Sequence, residues 1–174
     1  MQVRFLRKRL EYHLPGNHLI AKALVFSGLF FSGDEAEEMW LDNVRFVPRQ
    51  AKEDMPGMWS LCDISLIQLK NDPLFASVIP SKIFESMGMG LPIILSLPIG
   101  EASGMIQKSG AGVVIPPEQP ERLAETVVRL FENRDELDAL ARASLSAAPG
   151  HSRERQARSM LKILEEVASG IRPG

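Results

Sequence analysis

The amino-acid sequence predicts an α/β protein built on a Rossmann-like, doubly wound parallel sheet with additional helices at its C-terminal end. Short apolar runs alternate with amphipathic segments between residues 23 and 115, a pattern typical of parallel strands joined by helices. Beyond Pro117 the pattern changes to successive helical segments. The chain has 174 residues, of which 45% are hydrophobic and 24% charged, so we expect one globular domain at residues 23–174, preceded by an N-terminal segment of unassigned role at residues 1–22.

The first predicted elements follow one another at short intervals. Residues 23–31 form an apolar run rich in β-formers and predict a strand. A tight turn at residues 32–34 leads into an acidic segment at residues 35–40, which predicts a short helix. The next predicted strand is residues 44–47, which Pro48 ends.

Residues 52–61 predict a helix with Pro56 in its first turn. Its apolar side chains are expected to face inward, and they are Met55, Met58, Trp59 and Leu61. The remaining predicted elements are strands at 64–69, 92–97 and 112–115 and helices at 79–89, 102–108, 120–133, 134–146 and 152–168. For the last helix two alternatives stay open, because Met160, Leu161 and Leu164 can pack on this sheet or face an absent partner.

Composition and charge exclude several classes of protein. A net charge of -2 with mixed basic and acidic residues argues against nucleic acid as a partner. Cys62 is the only cysteine, which excludes an intrachain disulfide and fits a cytoplasmic location. No stretch reaches the roughly 20 apolar residues of a membrane span. The basic residues 1–10 predict a surface helix or a frayed end, with contact to a partner domain or to the anionic inner face of the plasma membrane as the alternative. No metal site is expected, because the histidines are scattered at positions 13, 18 and 151.

The most informative stretch is residues 78–94, which predicts a helix with an acid one turn inside it, ended by glycines and followed by an apolar strand. Pro80 suits the first turn of a helix because its missing N–H has no helical partner there. Side chains lean toward the start of their helix, so we expect the Glu85 carboxylate near the opening turn, where it can accept two hydrogen bonds from the vicinal hydroxyls of a ribose. Ser81 and Lys82 add a hydroxyl and a positive charge that suit phosphates. The alternative is an exposed ion pair between Lys82 and Glu85.

Several segments in a fixed order resemble one enzyme family, and they are residues 41–48, 62–67, 79–92, 110–117 and 120–124. Together they are similar to the C-terminal, donor-binding half of retaining glycosyltransferases of family 4, which have the GT-B fold; the resemblance covers about residues 42–167. It implies that the chain is one half of a GT-B fold and binds a nucleotide-sugar.

In that family two glutamates separated by seven residues handle the donor, and the second binds the ribose. The second position corresponds here to Glu85 and the first to Ser77, so the sugar contact departs from the family pattern. The stretch at residues 71–82 instead resembles members that serve bacterial O-antigen and exopolysaccharide synthesis, which implies polysaccharide biosynthesis. A UDP-linked donor is expected, although the sequence does not specify the base.

Two further loops are candidates for donor contacts. Gly100 and Glu101 follow the strand at 92–97, where a glycine lets a ligand approach closely and the acid can contact the sugar; a simple charge at a helix start is the alternative. The resemblance implies a nucleobase pocket formed by the loop after residues 44–47, which makes Val47, Pro48 and Arg49 candidates. Open α/β sheets bind ligands beyond the carboxyl ends of their strands, where all of these loops are expected to lie.

The resemblance therefore implies the nucleotide-sugar-binding half of a hexosyltransferase-like enzyme that transfers a sugar, with retention, to a glycan or lipid-linked acceptor without a metal or other cofactor. The acceptor-binding domain is expected in the same or a separate chain, and this chain alone is expected to be inactive without it. A non-catalytic sugar-nucleotide-binding subunit that acts only with a separate partner is the alternative. The sequence identifies no catalytic residue.

Overall fold

The computed structural model describes residues 23–26, by their backbone, and residues 50–170. Within these residues, four parallel strands form a sheet in the order β1-β2-β3-β4. The predicted α/β fold with a Rossmann-like parallel sheet is confirmed. The elements are β1 (Ala23–Phe26), α1 (Met55–Trp59), β2 (Ile64–Gln68), a first 3₁₀ turn (Pro73–Ser77), α2 (Lys82–Gly88), β3 (Ile93–Ser96), α3 (Glu101–Ser109), β4 (Gly112–Ile115), α4 (Pro120–Glu132), α5 (Arg134–Ala147), a second 3₁₀ turn (Ala148–His151) and α6 (Arg153–Ala168).

Helices cover both faces of the sheet, so its central strands are apolar on both sides. On one face, β2 and β3 pack against α2 and α3, and the buried side chains are Ile67, Ile83, Met87, Ile93, Leu95 and Ile106. On the other face they pack against α4 and α5, and the buried side chains are Ile64, Leu66, Ile94, Ile115, Leu123, Leu130 and Leu137. Alternate residues of one strand thus serve opposite layers.

The prediction that Leu61 faces the core is wrong. Helix α1 is shorter than predicted and buries only Trp59 among its residues, whereas Leu61 is 57% exposed. The helix ends at Trp59, and the chain turns there because the Leu61 N–H donates to the Met58 carbonyl and the Cys62 N–H to the Trp59 carbonyl. This turn removes Leu61 from the helical face that faces the core. Pro56 lies in the first turn, as predicted.

Helix α5 lies against the amino-terminal edge of the sheet. Ser144 is buried, and its hydroxyl donates to the Leu91 carbonyl (2.8 Å) just before β3. A Cβ at Gly110, just before β4, would lie 3.6 Å from the Ala143 Cβ. Because α5 closes this edge, the carboxyl edge is the one left for loops that bind a ligand.

Helix α6 settles the alternative for its apolar residues, because none of its residues is buried. Met160, Leu161 and Leu164 are between 56% and 58% exposed, so the alternative in which they pack on this sheet is wrong. None of the described helices combines the length and apolar character needed to span a bilayer.

Candidate functional site

Three loops meet at the carboxyl edge of the sheet, where β2, β3 and β4 end. The Leu69 N–H, after β2, donates to the Ser96 carbonyl at the end of β3 (2.8 Å). The Ser96 hydroxyl in turn lies 3.4 Å from the Pro116 carbonyl, after β4, and donates to it. The three strand ends are therefore tied together, and the loops that leave them start from fixed positions.

The loop after β2 contains the first 3₁₀ turn. The Asp72 carboxylate accepts a hydrogen bond from the Leu74 N–H (2.9 Å), and Pro73 follows at a position where no backbone N–H is needed. At the other end, the Ser77 hydroxyl donates to the Leu74 carbonyl (3.0 Å). The turn is thus closed by its own side chains. Ser77, one of the residues predicted to contact the nucleotide-sugar, is exposed at its end.

Helix α2 begins directly after this turn. Ser81 is exposed and flanks the first helical residue, Lys82, which is half-buried, as is Pro80. The Ile83 N–H donates to the Pro80 carbonyl (3.0 Å) and the Phe84 N–H to the Ser81 carbonyl (3.0 Å). These two amides are bonded within the turn, so they do not add to the unbonded N–H groups that the sequence predicts at this helix start.

Glu85 lies in the first turn of α2 with an exposed side chain. Among residues 50–170, its carboxylate has no hydrogen-bond or ion-pair partner, so the predicted alternative of a pair with Lys82 is not formed. The helix is held in this rotation from its other side, because Ile83 and Met87 are fully buried. A residue between two inward-facing positions on a helix points outward.

A buried hydroxyl pair fixes α2 to β2. The Ser86 Oγ lies 2.7 Å from the Ser65 Oγ and 2.7 Å from the Lys82 carbonyl oxygen, and both serines are fully buried. Buried hydroxyls need hydrogen-bond partners, so this pair specifies how α2 sits on the strand. The position of Glu85, one residue away, is set by this contact.

Helix α3 begins at the loop after β3. The Gly100 N–H donates to the Ser103 Oγ (2.8 Å), and Glu101 is exposed in the first turn. A Cβ added to Gly100 would lie 2.7 Å from the carbonyl carbon and 2.9 Å from the Cα of Ala76. The space beside Gly100 is therefore filled by the first 3₁₀ turn, and this contact between two loops is itself a reason for a glycine here, while close approach of a ligand stays a prediction.

Sequence reasoning missed Glu118, in the loop after β4. Glu118 has a φ of 59°, the only positive φ of a non-glycine residue within the described chain, and its Oε1 accepts a hydrogen bond from the Asn71 N–H (3.3 Å). The double proline before it marks a turn, but the αL conformation of a glutamate has no sequence signal. The contact joins the loops after β2 and β4.

The loops at this edge carry more acidic than basic side chains. In the segments 69–85, 97–101 and 116–119, the carboxylates of Asp72, Glu85, Glu101 and Glu118 outnumber the lysines at 70 and 82. The charge within these three segments is therefore unfavourable to an anionic ligand such as a diphosphate.

Two of the three segments predicted to contact the nucleotide-sugar lie together, and the third lies outside the described residues. The residues from Ser77 to Glu85 and the pair Gly100–Glu101 lie on neighbouring loops that touch where Ala76 meets Gly100. Val47, Pro48 and Arg49 lie outside the described residues, as do the strand predicted at 44–47 and most of the strand predicted at 23–31.

Comparison with known proteins gives a consistent result. Residues 8–133 match the family described as glycosyl transferases group 1. The chain is 33% identical over 113 residues to a protein described as probable glycosyltransferase WbjE of Pseudomonas aeruginosa, an alignment that covers 64% of this chain and 26% of that protein. It is 23% identical over 128 residues to D-inositol 3-phosphate glycosyltransferase of Salinispora tropica, covering 74% of this chain and 25% of that protein. The matched region thus spans about a quarter of the length of each relative.

Proposed function

Since this chain belongs to the glycosyl transferases group 1 family, we propose that it is the donor-binding, C-terminal-type half of a retaining family 4 glycosyltransferase. The donor is a nucleotide-sugar with a UDP group, and the acceptor is a glycan or a lipid-linked saccharide of bacterial O-antigen or exopolysaccharide synthesis. The observation that carries the proposal is Glu85, an exposed carboxylate in the first turn of a helix at the carboxyl edge of a parallel sheet.

The chemistry of Glu85 suits a ribose. An ionised carboxylate accepts hydrogen bonds on two oxygens, and the two vicinal hydroxyls of a ribose donate side by side. Because Glu85 has no partner among residues 50–170, a ligand displaces no existing ion pair there. The buried contacts of Ile83, Ser86 and Met87 hold the helix still while Glu85 binds.

The segments on either side of Glu85 supply the other donor contacts in this proposal. Ser81 and Lys82 face the diphosphate with a hydroxyl and a positive charge, and Glu101 accepts a hydrogen bond from the sugar. Ser77 stands nearest the sugar on the loop before α2. Val47, Pro48 and Arg49 line the nucleobase pocket, and the Arg49 guanidinium adds to the positive charge that this acidic edge lacks.

Transfer breaks the bond between the sugar and the diphosphate, and the diphosphate leaves with the electron pair. The acceptor oxygen forms the new bond from the same face of the sugar, and the proton of its hydroxyl passes to the leaving diphosphate. Dipoles and cations that face the leaving diphosphate stabilise the charge that develops on it. The role of this chain is to hold the donor in position for that step.

Transfer also needs an acceptor-binding domain, in the same or a separate chain. Two observations support this part of the proposal. The matched region spans about a quarter of the length of its relatives. Helix α6 presents an unburied apolar stripe, formed by Met160, Leu161, Leu164 and Val167, that suits contact with such a domain. A non-catalytic subunit that binds nucleotide-sugar for a separate partner would use the same surface, and transfer by the assembled complex distinguishes the two.

Calorimetric titration with UDP and GDP tests the proposal. We expect UDP to bind, and Glu85→Gln to weaken binding about tenfold or more, because an amide accepts at one oxygen only and carries no charge. Asp135→Asn is the matched control, since Asp135 is also exposed in the first turn of a helix, α5, which crosses the opposite edge. No binding of either nucleotide at millimolar concentration would refute the proposal, and so would equal affinity of the Glu85→Gln variant.

A further inference from the structure

Glu118 combines two features that are individually uncommon. Its backbone is in the left-handed region, with a φ of 59°, and its side chain reaches a different loop. A non-glycine residue in this region is strained by contact between its Cβ and the backbone, and such strain persists only where surrounding contacts hold it. The contact that holds Glu118 is the hydrogen bond from the Asn71 N–H to the Glu118 Oε1 (3.3 Å).

The position of this contact gives it a consequence for the site. Asn71 is the third residue after β2, and Glu118 is the third residue after β4. Because β3 lies between these strands, the two chain segments start about 10 Å apart. The hydrogen bond made by the Glu118 side chain therefore joins two loops whose strands are separated by β3.

The held segment leads directly to the proposed ribose contact. Asn71 is followed by Asp72, whose carboxylate caps the first 3₁₀ turn, and the end of that turn rests against Gly100. The chain then passes through residues 78–81 into α2 and Glu85. One end of the turn is fixed by Gly100 and the other by Glu118.

We infer that Glu118 is a positioning residue for the donor site, whose carboxylate clamps the loop after β2 so that the start of α2 is held ready for the nucleotide-sugar. The inference rests on the proposed function for its ligand. Glu118 touches neither ribose nor phosphate in this role. It acts through Asn71 and the first 3₁₀ turn.

Three substitutions separate the contact from the backbone strain. Glu118→Gln keeps a side chain of the same length with an acceptor oxygen, so the clamp is retained. Glu118→Ala removes the acceptor and keeps a Cβ in the left-handed region. Glu118→Gly removes the acceptor and also relieves the strain, so its thermal unfolding temperature should be above that of Glu118→Ala.

Two measurements on the full chain test the inference. Amide hydrogen exchange at Asn71 should be about threefold faster or more in the Ala and Gly variants and close to the unaltered rate in Glu118→Gln. The Kd for UDP should rise about threefold or more in the Ala and Gly variants and be restored in Glu118→Gln. Glu118→Gly should therefore be more stable than Glu118→Ala while its Kd for UDP is raised as much, a separation that a merely structural role does not produce.

The outcomes are distinguishable. Equal Asn71 exchange in all four chains would overturn the clamp. Faster exchange with an unchanged Kd for UDP would overturn the positioning role and leave the proposed function standing. Failure of the unaltered chain to bind UDP at millimolar concentration would refute the proposed function, and the positioning role with it.

Discussion

Substitution of Gly100 by alanine should damage both the candidate site and the fold. The added Cβ would lie 2.7 Å from the Ala76 carbonyl carbon and 2.9 Å from its Cα. Carbon atoms pack at about 3.5–4.0 Å, and the Ala76 carbonyl oxygen would lie closer still to the added Cβ, so the first 3₁₀ turn must retreat by at least about 1 Å. Gly100 has extended backbone angles that alanine also adopts, so the effect is steric.

The magnitude follows from what must move. Overpacking costs about 1–3 kcal/mol, and we expect the upper end because the contacted atoms belong to the backbone of Ala76, which is half-buried. In a chain of 174 residues, about 1 kcal/mol lowers the thermal unfolding temperature by about 2–4 °C. A displacement of about 1 Å in a positioned binding loop should weaken UDP binding about tenfold, since misplacement by that distance is known to be costly in preorganised sites.

Two glycines of the same chain provide matched controls. Nothing lies within 4 Å of a Cβ at Gly104, inside α3, so Gly104→Ala should stabilise the protein by about 0.5–1 kcal/mol and leave the Kd for UDP unchanged. A Cβ at Gly112, at the opposite edge, would lie 2.7 Å from the Ile93 carbonyl carbon, so Gly112→Ala should lower stability without changing the Kd of the folded protein. Thermal unfolding and calorimetry measure both quantities. Unaltered UDP affinity in Gly100→Ala would refute the reasoning.

Two other predictions concern the support of the site and its outer surface. Ser86→Ala should destabilise the chain by about 1–3 kcal/mol, because it leaves the buried Ser65 hydroxyl without this partner. The double variant that also carries Ser65→Ala should recover part of this loss when the free energy of unfolding is measured by chemical denaturation. Additive losses would contradict the pairing of the two hydroxyls. Leu161→Gln and Leu164→Gln should change stability by less than about 0.5 kcal/mol, because these side chains are 56% and 58% exposed, while weakening association with an acceptor-binding domain; a large fall in the unfolding temperature would show that they are buried.

The regular elements could be predicted from the sequence because each has a local cause. The apolar run from Ile64 and the one from Ile93 are buried on both faces, and their composition shows it without knowledge of neighbours. Helices α4, α5 and α6 begin and end within one or two residues of their predicted limits, since amphipathic periodicity and the breaks at Asn133 and Pro149–Gly150 are local signals.

Contacts between loops could not be predicted, because they depend on residues distant in sequence. Gly100 carries the signal of a flexible or ligand-facing glycine, yet its neighbour is the backbone of Ala76, 24 positions earlier. Asn71 and Glu118 are 47 positions apart, and neither predicts the other. The prediction for Leu61 was wrong for a local reason, because the helix ends at Trp59 and the turn that follows takes Leu61 off the inward-facing side.

The candidate site was predicted in part for the same reasons. Periodicity places Glu85 opposite Ile83 and Met87, and the resemblance to a family of glycosyltransferases predicts a ribose as the ligand of that carboxylate. The role of Ser77 and that of Glu101 stay predictions, as does the nucleobase pocket at Val47, Pro48 and Arg49. Each of these depends on where a ligand lies, which no residue pattern specifies.

The most direct measurement is a crystal structure of the chain with UDP bound. We expect both ribose hydroxyls to donate to the Glu85 carboxylate at about 2.6–3.0 Å, with the diphosphate toward Ser81 and Lys82. A structure in which UDP binds with its ribose away from Glu85, while that carboxylate still faces solvent, would contradict the proposed site.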